Sequence, residues 1–519
     1  MLGASTAAQE RAAPPDWVIL TLVCLGQFMV LLDVSVVNVA LPSIRSNLGF
    51  SQTGLQWVVN AYTLTFAGFL LLGGRAADLY GRRRLFLIGL VLFTLASLAG
   101  GLAQNQAMLI TARAAQGVGG AVLSPATLTI LIATFSEGEA RSRALGIWSA
   151  VAAAGGASGV LLGGVLTDLL SWRWILFINV PVGIVAFIAA WLVLPESRGQ
   201  VQRRHLDVWG AATITGGLVA LVYAVVNTDT GSWTNWQTLV GLPVAAVLLA
   251  AFLVIESRSE APIMPLRLFR SRSLSGANLV MFFTAAAVFA MWFFLSLYLQ
   301  NVLGYSPLQA GIAFVPQTLA IVIGAQISSR LATRIGARPL LIVGPLISAV
   351  GLAWLSRIDA TTAYFPGIVV PGMIITLGLG LTFTPVTLAA TTGVAREEAG
   401  LASGIVNTTR QIGASIGLAL LATIASQHTR SVLAGTHPTA QQTAAALTAG
   451  FGRGYELAVV FAVAAAAAAV IVPPLVRPPA QAPLPERRPV AAASPQKVLA
   501  AEGVQAPIAV AVEPRKCCP

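Results

Sequence analysis

Charge, cysteine, lysine and histidine are all scarce in this chain of 519 residues. Only 10% of its residues are charged, where a soluble domain carries about a quarter. That deficit excludes a chain folding in water around a single apolar core. Cysteine occurs only as Cys24, Cys517 and Cys518, so neither a disulfide framework nor a metal-ligand spacing exists. The ending Cys517-Cys518-Pro519 also fails as a prenylation box, which needs its cysteine earlier. Lysine is confined to Lys497 and Lys516, and the other basic residues are arginine. With abundant alanine and glycine, that bias points to GC-rich coding DNA and a bacterial source. The histidines, His205, His428 and His437, fall in expected loops and not at one depth, which argues against a membrane-embedded enzyme. No P-loop glycine run is present, so ATP drive and a nucleotide cofactor are not expected. Residues 1–16 lack a basic n-region, and the apolar run from Trp17 is too long for a cleaved signal.

Apolar length is what the chain has. It is 56% hydrophobic, with mean hydropathy +0.80. Runs of about twenty apolar residues recur, the length a bilayer requires. The fold class expected is an all-α polytopic membrane protein, with spans near 18–40, 54–74, 83–103, 107–133, 143–167, 174–194, 208–228, 237–256, 275–300, 308–329, 338–356, 364–390, 402–425 and 455–476. Arginine alternates between loops. Arg82–Arg84, Arg141, Arg143, Arg198, Arg203, Arg204, Arg258, Arg267, Arg270, Arg272, Arg330, Arg334, Arg338 and Arg396 share one side, against Arg45, Arg173, Arg357, Arg430 and Arg453 on the other. The positive-inside rule makes the first set cytoplasmic, and an even span count puts both termini there. The net charge of +12 is thereby a matter of topology and anionic headgroups, with no nucleic-acid partner implied.

The stretch Gly74-Arg75-Ala76-Ala77-Asp78-Leu79-Tyr80-Gly81-Arg82-Arg83-Arg84 reads as a tight charged loop between the second and third spans. The arginines alone would serve as a topology anchor. The whole pattern resembles the signature loop of the major facilitator superfamily, except that Leu79 stands where the family usually has arginine. Ser329–Arg338 echoes it, with Thr333 in place of the acid. Two homologous six-span halves of parallel orientation explain the echo. The two spans left over lie between the halves, a layout that resembles the fourteen-span drug:proton antiporter branch. The expected divisions are a cytoplasmic segment 1–16, a six-helix bundle 17–200, two central helices within 201–260, a second bundle 261–476 and a Pro/Ala-rich tail 477–519. Residues 426–453 read as an outward polar loop.

Several intramembrane residues are candidates for chemistry. Asp33 lies in Leu32–Pro42 of the first span, and Arg113 in Arg113–Ala121 of the fourth. At 1.5 Å per residue, Asp33 is about 8 Å from the outer edge of a 30 Å core and Arg113 about 9 Å. Intramembrane charges are costly and usually face a partner or a cavity; in the fold that the resemblance implies, both helices border the central cavity of the first half, so the two groups can meet or share a water. Asp33 also admits a purely structural reading. Both runs resemble the branch's first- and fourth-span motifs, and that resemblance implies that Asp33 and Arg113 couple transport to protons. It also assigns a conformational switch to Gly74, Asp78, Gly81, Arg82 and Arg83. Gly146, Gly155, Gly156, Gly159, Gly163 and Gly164 give the fifth span a small-residue face that suits close packing. The spacing resembles the antiporter motif, with Val160 where the family has proline.

Asn407, Arg410 and Gln411 share one helical face by i, i+3, i+4 spacing, which suits a cavity lining. Asn38, Gln56, Asn60, Tyr62, Gln116, Trp292 and Tyr298 complete the expected substrate cavity, with Trp57, Phe66, Phe282, Phe283, Phe293 and Phe294 as further aromatic candidates. The resemblance implies a proton-driven exporter of hydrophobic or cationic drugs, antibiotics or secondary metabolites. It would act as a monomer in the bacterial cytoplasmic membrane, with protons, a small-molecule substrate and lipid as partners and no metal. A proton-coupled importer of a sugar, peptide or siderophore is the alternative.

Overall fold

A computed structural model describes residues 15–196, 206–231, 233–260, 262–395, 398–434 and 438–474. The expected tail, most of the N-terminal segment, Arg198, Arg203, Arg204, His205, Arg396 and His437 lie outside these residues. The described residues hold helices and turns and no strand.

Fourteen helices among them are long and apolar enough to cross a membrane. They are α1 (Asp16–Leu48), α2 (Gly54–Tyr80), α3 (Arg82–Gly101), α4 (Gln106–Thr134), α5 (Glu139–Leu169), α6 (Trp174–Val193), α7 (Val208–Thr228), α8 (Trp236–Arg258), α9 (Arg272–Asn301), α10 (Pro307–Ile335), α11 (Ala337–Leu355), α12 (Val369–Thr391), α13 (Ala399–Leu433) and α14 (Ala440–Ile471). The chain is a multi-pass membrane protein.

In the first bundle, α1 packs on α5, and α4 packs on α2 and α3. In the second, α9 packs on α13 and α14, and α12 on α10 and α11. Helices α7 and α8 pair with each other, and α7 lies against α2 and α13. The bundles meet along α2 with α13, α5 with α10, and α1 with α9.

Two sequence expectations need correction. The signature stretch is hardly a loop: Gly74–Tyr80 forms the last turns of α2, and Gly81 alone breaks the chain before α3. Gly81 adopts φ +112°, a region L side chains rarely enter, and a single residue suffices for the turn. Gly336 does the same between α10 and α11 at φ +83°, so the echo seen in the sequence is an echo of backbone geometry.

The expected outward loop 426–453 is largely helix. α13 runs on to Leu433 and α14 begins at Ala440, so His428 is helical and not in a loop. Alanine-rich sequence favours helix, and the Thr439 hydroxyl with the Gln442 side chain forms a reciprocal cap. Polarity there marks helix ends projecting beyond the apolar layer: α13, at 35 residues, is about 52 Å long.

Candidate functional site

Asn105 starts α4 by accepting the Met108 N–H at 2.9 Å, which places Arg113 two turns inside the helix. There the guanidinium is 2% exposed and the Asp33 carboxylate fully buried. Arg113 Nη1 donates to Asp33 Oδ2 at 2.6 Å and to Gln116 Oε1 at 2.7 Å. Gln116 Nε2 donates in turn to Asp33 Oδ1 at 2.7 Å and to Ser97 Oγ at 2.6 Å. Asn179 Nδ2 reaches the same Asp33 oxygen at 3.2 Å. Arg113 Nε donates to the Val58 carbonyl at 3.1 Å, and the guanidinium lies over the Tyr62 ring, 4.5 Å from its centre.

Five helices, α1, α2, α3, α4 and α6, thus meet in one network around this carboxylate. Three donors converge on Asp33, and the arginine has a carboxylate, an amide oxygen, a carbonyl and a ring face. A buried pair needs this kind of satisfaction to offset desolvation.

A cavity of about 790 Å³ lies beside this network, between the bundles. Leu31, Val34 and Asn38 of α1 form part of its wall, while Asp33 points away into the first bundle. Gly146, Ser149, Gln326 and Ser329 line it near the end where Gly81 and Gly336 turn. The opposite end is shut. Ser296 Oγ donates to the Asn38 carbonyl at 2.6 Å and Gln300 Nε2 to the Val39 carbonyl at 2.9 Å. Ser306 donates to Asp168 at 3.3 Å, and a Cβ on Gly164 would meet the Pro307 carbonyl at 2.6 Å. The cavity therefore opens toward the arginine-rich end.

Of the expected cavity residues, Asn38, Asn60 and Trp292 line it, as does Phe293. The others sit elsewhere. Gln116 and Tyr62 belong to the ion-pair shell. Tyr298 is buried at the shut end, where its hydroxyl donates to the carbonyls of Asp359 and Thr362, both at 2.9 Å. Asn407 and Arg410 bond each other, Nη2 to Oδ1 at 2.7 Å, with the guanidinium 5.7 Å from the centre of the Phe289 ring. Gln56 and Gln411 are buried on α2 and α13. Phe294 packs with Phe451 and Tyr455, Phe283 with Phe461, and Trp57 with Tyr223, all away from the cavity.

The charged turn ties α2 and α3 to the end of α6. Arg82 Nη2 is 3.4 Å from Asp78, Arg83 donates to the Trp191 carbonyl, and Arg84 Nε is 3.5 Å from Glu196. On α5, Gly155, Gly159 and Gly163 face α1, where an added Cβ would meet the carbonyls of Phe28, Leu32 and Val36 at 3.0, 2.8 and 2.6 Å. A Cβ on Gly146 or Gly156 would meet nothing within 4 Å. Val160 keeps its N–H, and α5 runs through it unbroken.

Ser97 and Asn179 are the members of the network not expected from the sequence. Asn179, a polar residue entering an apolar span, carried a usable signal; Ser97, among alanines and leucines, carried none. Glu256 was also missed. It is 3% exposed and accepts the Met264 N–H, while its other carboxylate oxygen has no partner.

The Major Facilitator Superfamily pattern matches residues 23–418. The chain belongs to that superfamily. Among its relatives, the cephamycin export protein CmcT of Amycolatopsis lactamdurans is 46% identical over 432 residues, covering 82% of this chain and 88% of that one. The puromycin resistance protein pur8 of Streptomyces alboniger is 40% identical over 463 residues, covering 88% and 90%. In fold, this facilitator resembles the crystal structure of a bacterial homolog to the human lysosomal transporter Spinster, with TM-score 0.63 and 17% identity over 88% of this chain and 97% of that one.

Proposed function

We propose that this chain exports antibiotics or other hydrophobic small molecules from the bacterial cytoplasm in exchange for protons, with Asp33 as the coupling carboxylate. The observation that carries the reading is the Asp33–Arg113 pair, buried in the first bundle one residue along α1 from the cavity wall. The names of the relatives, an export protein and a resistance protein, support the direction of transport. The wall is dominated by apolar side chains, which weighs against an importer of a polar solute.

Taking the arginine-rich end as cytoplasmic, the cavity is open for loading from inside, and both termini lie on that side. In this state Asp33 is sealed and bonded. Protonation removes the charge that stabilises Arg113 in the apolar layer. Arg113 would keep only the Val58 carbonyl, Gln116 and the Tyr62 face. Leaving one charge of a buried pair unmatched costs about 3–5 kcal/mol. A proton descending 100 mV supplies roughly 2.3 kcal/mol, so the two are of one magnitude and can be exchanged. Arg82–Asp78 and its neighbours would hold the α2–α3 turn in one access state.

A drug-susceptibility panel in an efflux-deficient host, with and without a protonophore, tests this. Raised resistance that the protonophore abolishes is the expected result; unchanged susceptibility across the panel would refute export.

A further inference from the structure

Arg113 and Arg410 both lie well inside membrane spans, and they are held differently. Arg113 is sealed and matched by Asp33. Arg410 stands about 16 Å along α13 from Ala399. It is half-buried, and no carboxylate lies at ion-pair distance from it among the described residues. The hydrogen-bond acceptor it has there is the neutral Asn407 Oδ1, which takes Nε at 3.1 Å and Nη2 at 2.7 Å. Intramembrane charges pair within the protein or mark the path of a ligand.

The packing of α13 decides where that charge looks. Ser415 bonds Thr63 of α2 at 2.6 Å, and a Cβ on Gly404 would meet the Leu71 side chain of the same helix at 3.0 Å. On the other flank, a Cβ on Gly413 or Gly417 would meet the backbone of α9 at Phe282 or Ala286. At 3.6 residues per turn, Asn407, Arg410, Ala414 and Leu418 fall between these two contact lines. Ala414 and Leu418 line the cavity. Arg410 continues their face one turn toward the open end, with its guanidinium beside Phe289 of the wall. Arg410 Nη1 and Asn407 Nδ2 engage no acceptor among the described residues, and neither is sealed from the surface. Two free donors, one of them charged, thus stand a turn apart at the mouth of an apolar chamber. A charged donor binds a carboxylate more strongly than a neutral one does, and more strongly in a low dielectric than in water.

We infer that Arg410 and Asn407 form an anion subsite, and that the transported molecule is an amphiphile whose carboxylate pairs with the Arg410 guanidinium while its apolar body fills the cavity. The inference rests on the export reading and narrows it, since the sequence pointed to hydrophobic or cationic molecules.

The test uses the full-length protein in an uncharged detergent and three dansyl probes of matched size, ending in a carboxylate, a neutral amide or a trimethylammonium group. Binding is measured by equilibrium dialysis. The carboxylate is expected to bind about tenfold tighter than the amide, the effect of one charge-assisted hydrogen bond, and the cation weakest. Arg410→Gln should cut that preference to about threefold or less, and Asn407→Ala should weaken carboxylate binding in the same direction. Arg410→Lys should keep most of the preference because it keeps the charge, a rescue that a purely packing role for Arg410 would not give. Equal or weaker binding of the carboxylate by the parent protein overturns the inference without reference to any variant. So does an undiminished preference in a folded Arg410→Gln protein. Uptake by energised inverted vesicles, against vesicles lacking the protein, tests export separately. Selective binding of the carboxylate with no uptake would support the subsite while overturning export, so the two failures are distinguishable.

Discussion

Replacing Asp33 by asparagine keeps its shape and removes its charge, and the geometry fixes the consequence. Asp33 accepts from Arg113, Gln116 and Asn179. An asparagine oxygen can still accept from Gln116 and Asn179, but its NH₂ then confronts Arg113 Nη1 where a 2.6 Å hydrogen bond stood. Two donors face each other, and the guanidinium is left without its counter-charge at 2% exposure. A loss of about 3–5 kcal/mol is expected for breaking a buried pair on one side. Asp33→Asn with Arg113→Gln removes the stranded charge as well, and should recover about 2–3 kcal/mol of that loss as coupling energy. Stability and function therefore separate. Melting of the purified protein should fall in Asp33→Asn and largely return in the double variant. Substrate-induced proton release from energised inverted vesicles, with expression matched, should be absent in both. If Asp33→Asn releases protons on substrate addition as the parent does, Asp33 is structural and the coupling role belongs elsewhere.

Gly159→Ala puts a Cβ 2.8 Å from the Leu32 carbonyl and should reduce transport and thermal stability, whereas Gly156→Ala, with nothing within 4 Å, should leave stability unchanged; equal effects in melting curves would refute the helix-contact argument. Cysteines replacing Asp168 and Ser306, which meet at the shut end, should crosslink under oxidation and stop transport until a reductant is added. Transport persisting in the crosslinked protein would mean that this end need not open. A periplasm-active reporter should be silent at the C-terminus and active after Thr230, and the reverse pattern would overturn the orientation read from the arginines.

Length and charge asymmetry made the architecture legible, because the bilayer imposes both. The helix ends around 426–453 were not legible, since residues beyond the apolar layer no longer report on it by hydropathy. Asp33 and Arg113 could be paired from depth, as two costly charges about equally far from one edge, once the family resemblance brought their helices together. The rest of their shell could not. Depth gives the height of Gln116 or Tyr62 in the membrane but not which way its side chain turns. Each faces the first bundle, while Asn60, one turn from Gln56 on the same helix, borders the cavity. Tyr298 shows the same limit: its position suited a cavity, but its hydroxyl is held by the loop carbonyls of Asp359 and Thr362.

Helix α1 links the parts of the proposed cycle without a long chain of intermediates. Asp33 faces the bundle interior, Val34 and Asn38 face the cavity, and Asn38 and Val39 give their carbonyls to α9 at the shut end. The glycines of α5 grip the backbone of the same helix at Phe28, Leu32 and Val36. Any rotation of α1 that accompanies a change of charge at Asp33 must alter the cavity wall and strain the α9 contacts together. At these glycines α5 comes close to both the backbone of α1 and its side chains at Phe28, Ser35 and Val36, and small-residue faces of this kind let helices approach closely. The adjoining face of α5 carries Gly164, against Pro307 of α10, so a tilt of α5 reaches the second bundle directly. A single carboxylate can therefore bias which end of the cavity is open, provided that its protonation changes stability by the few kcal/mol that separate the two arrangements.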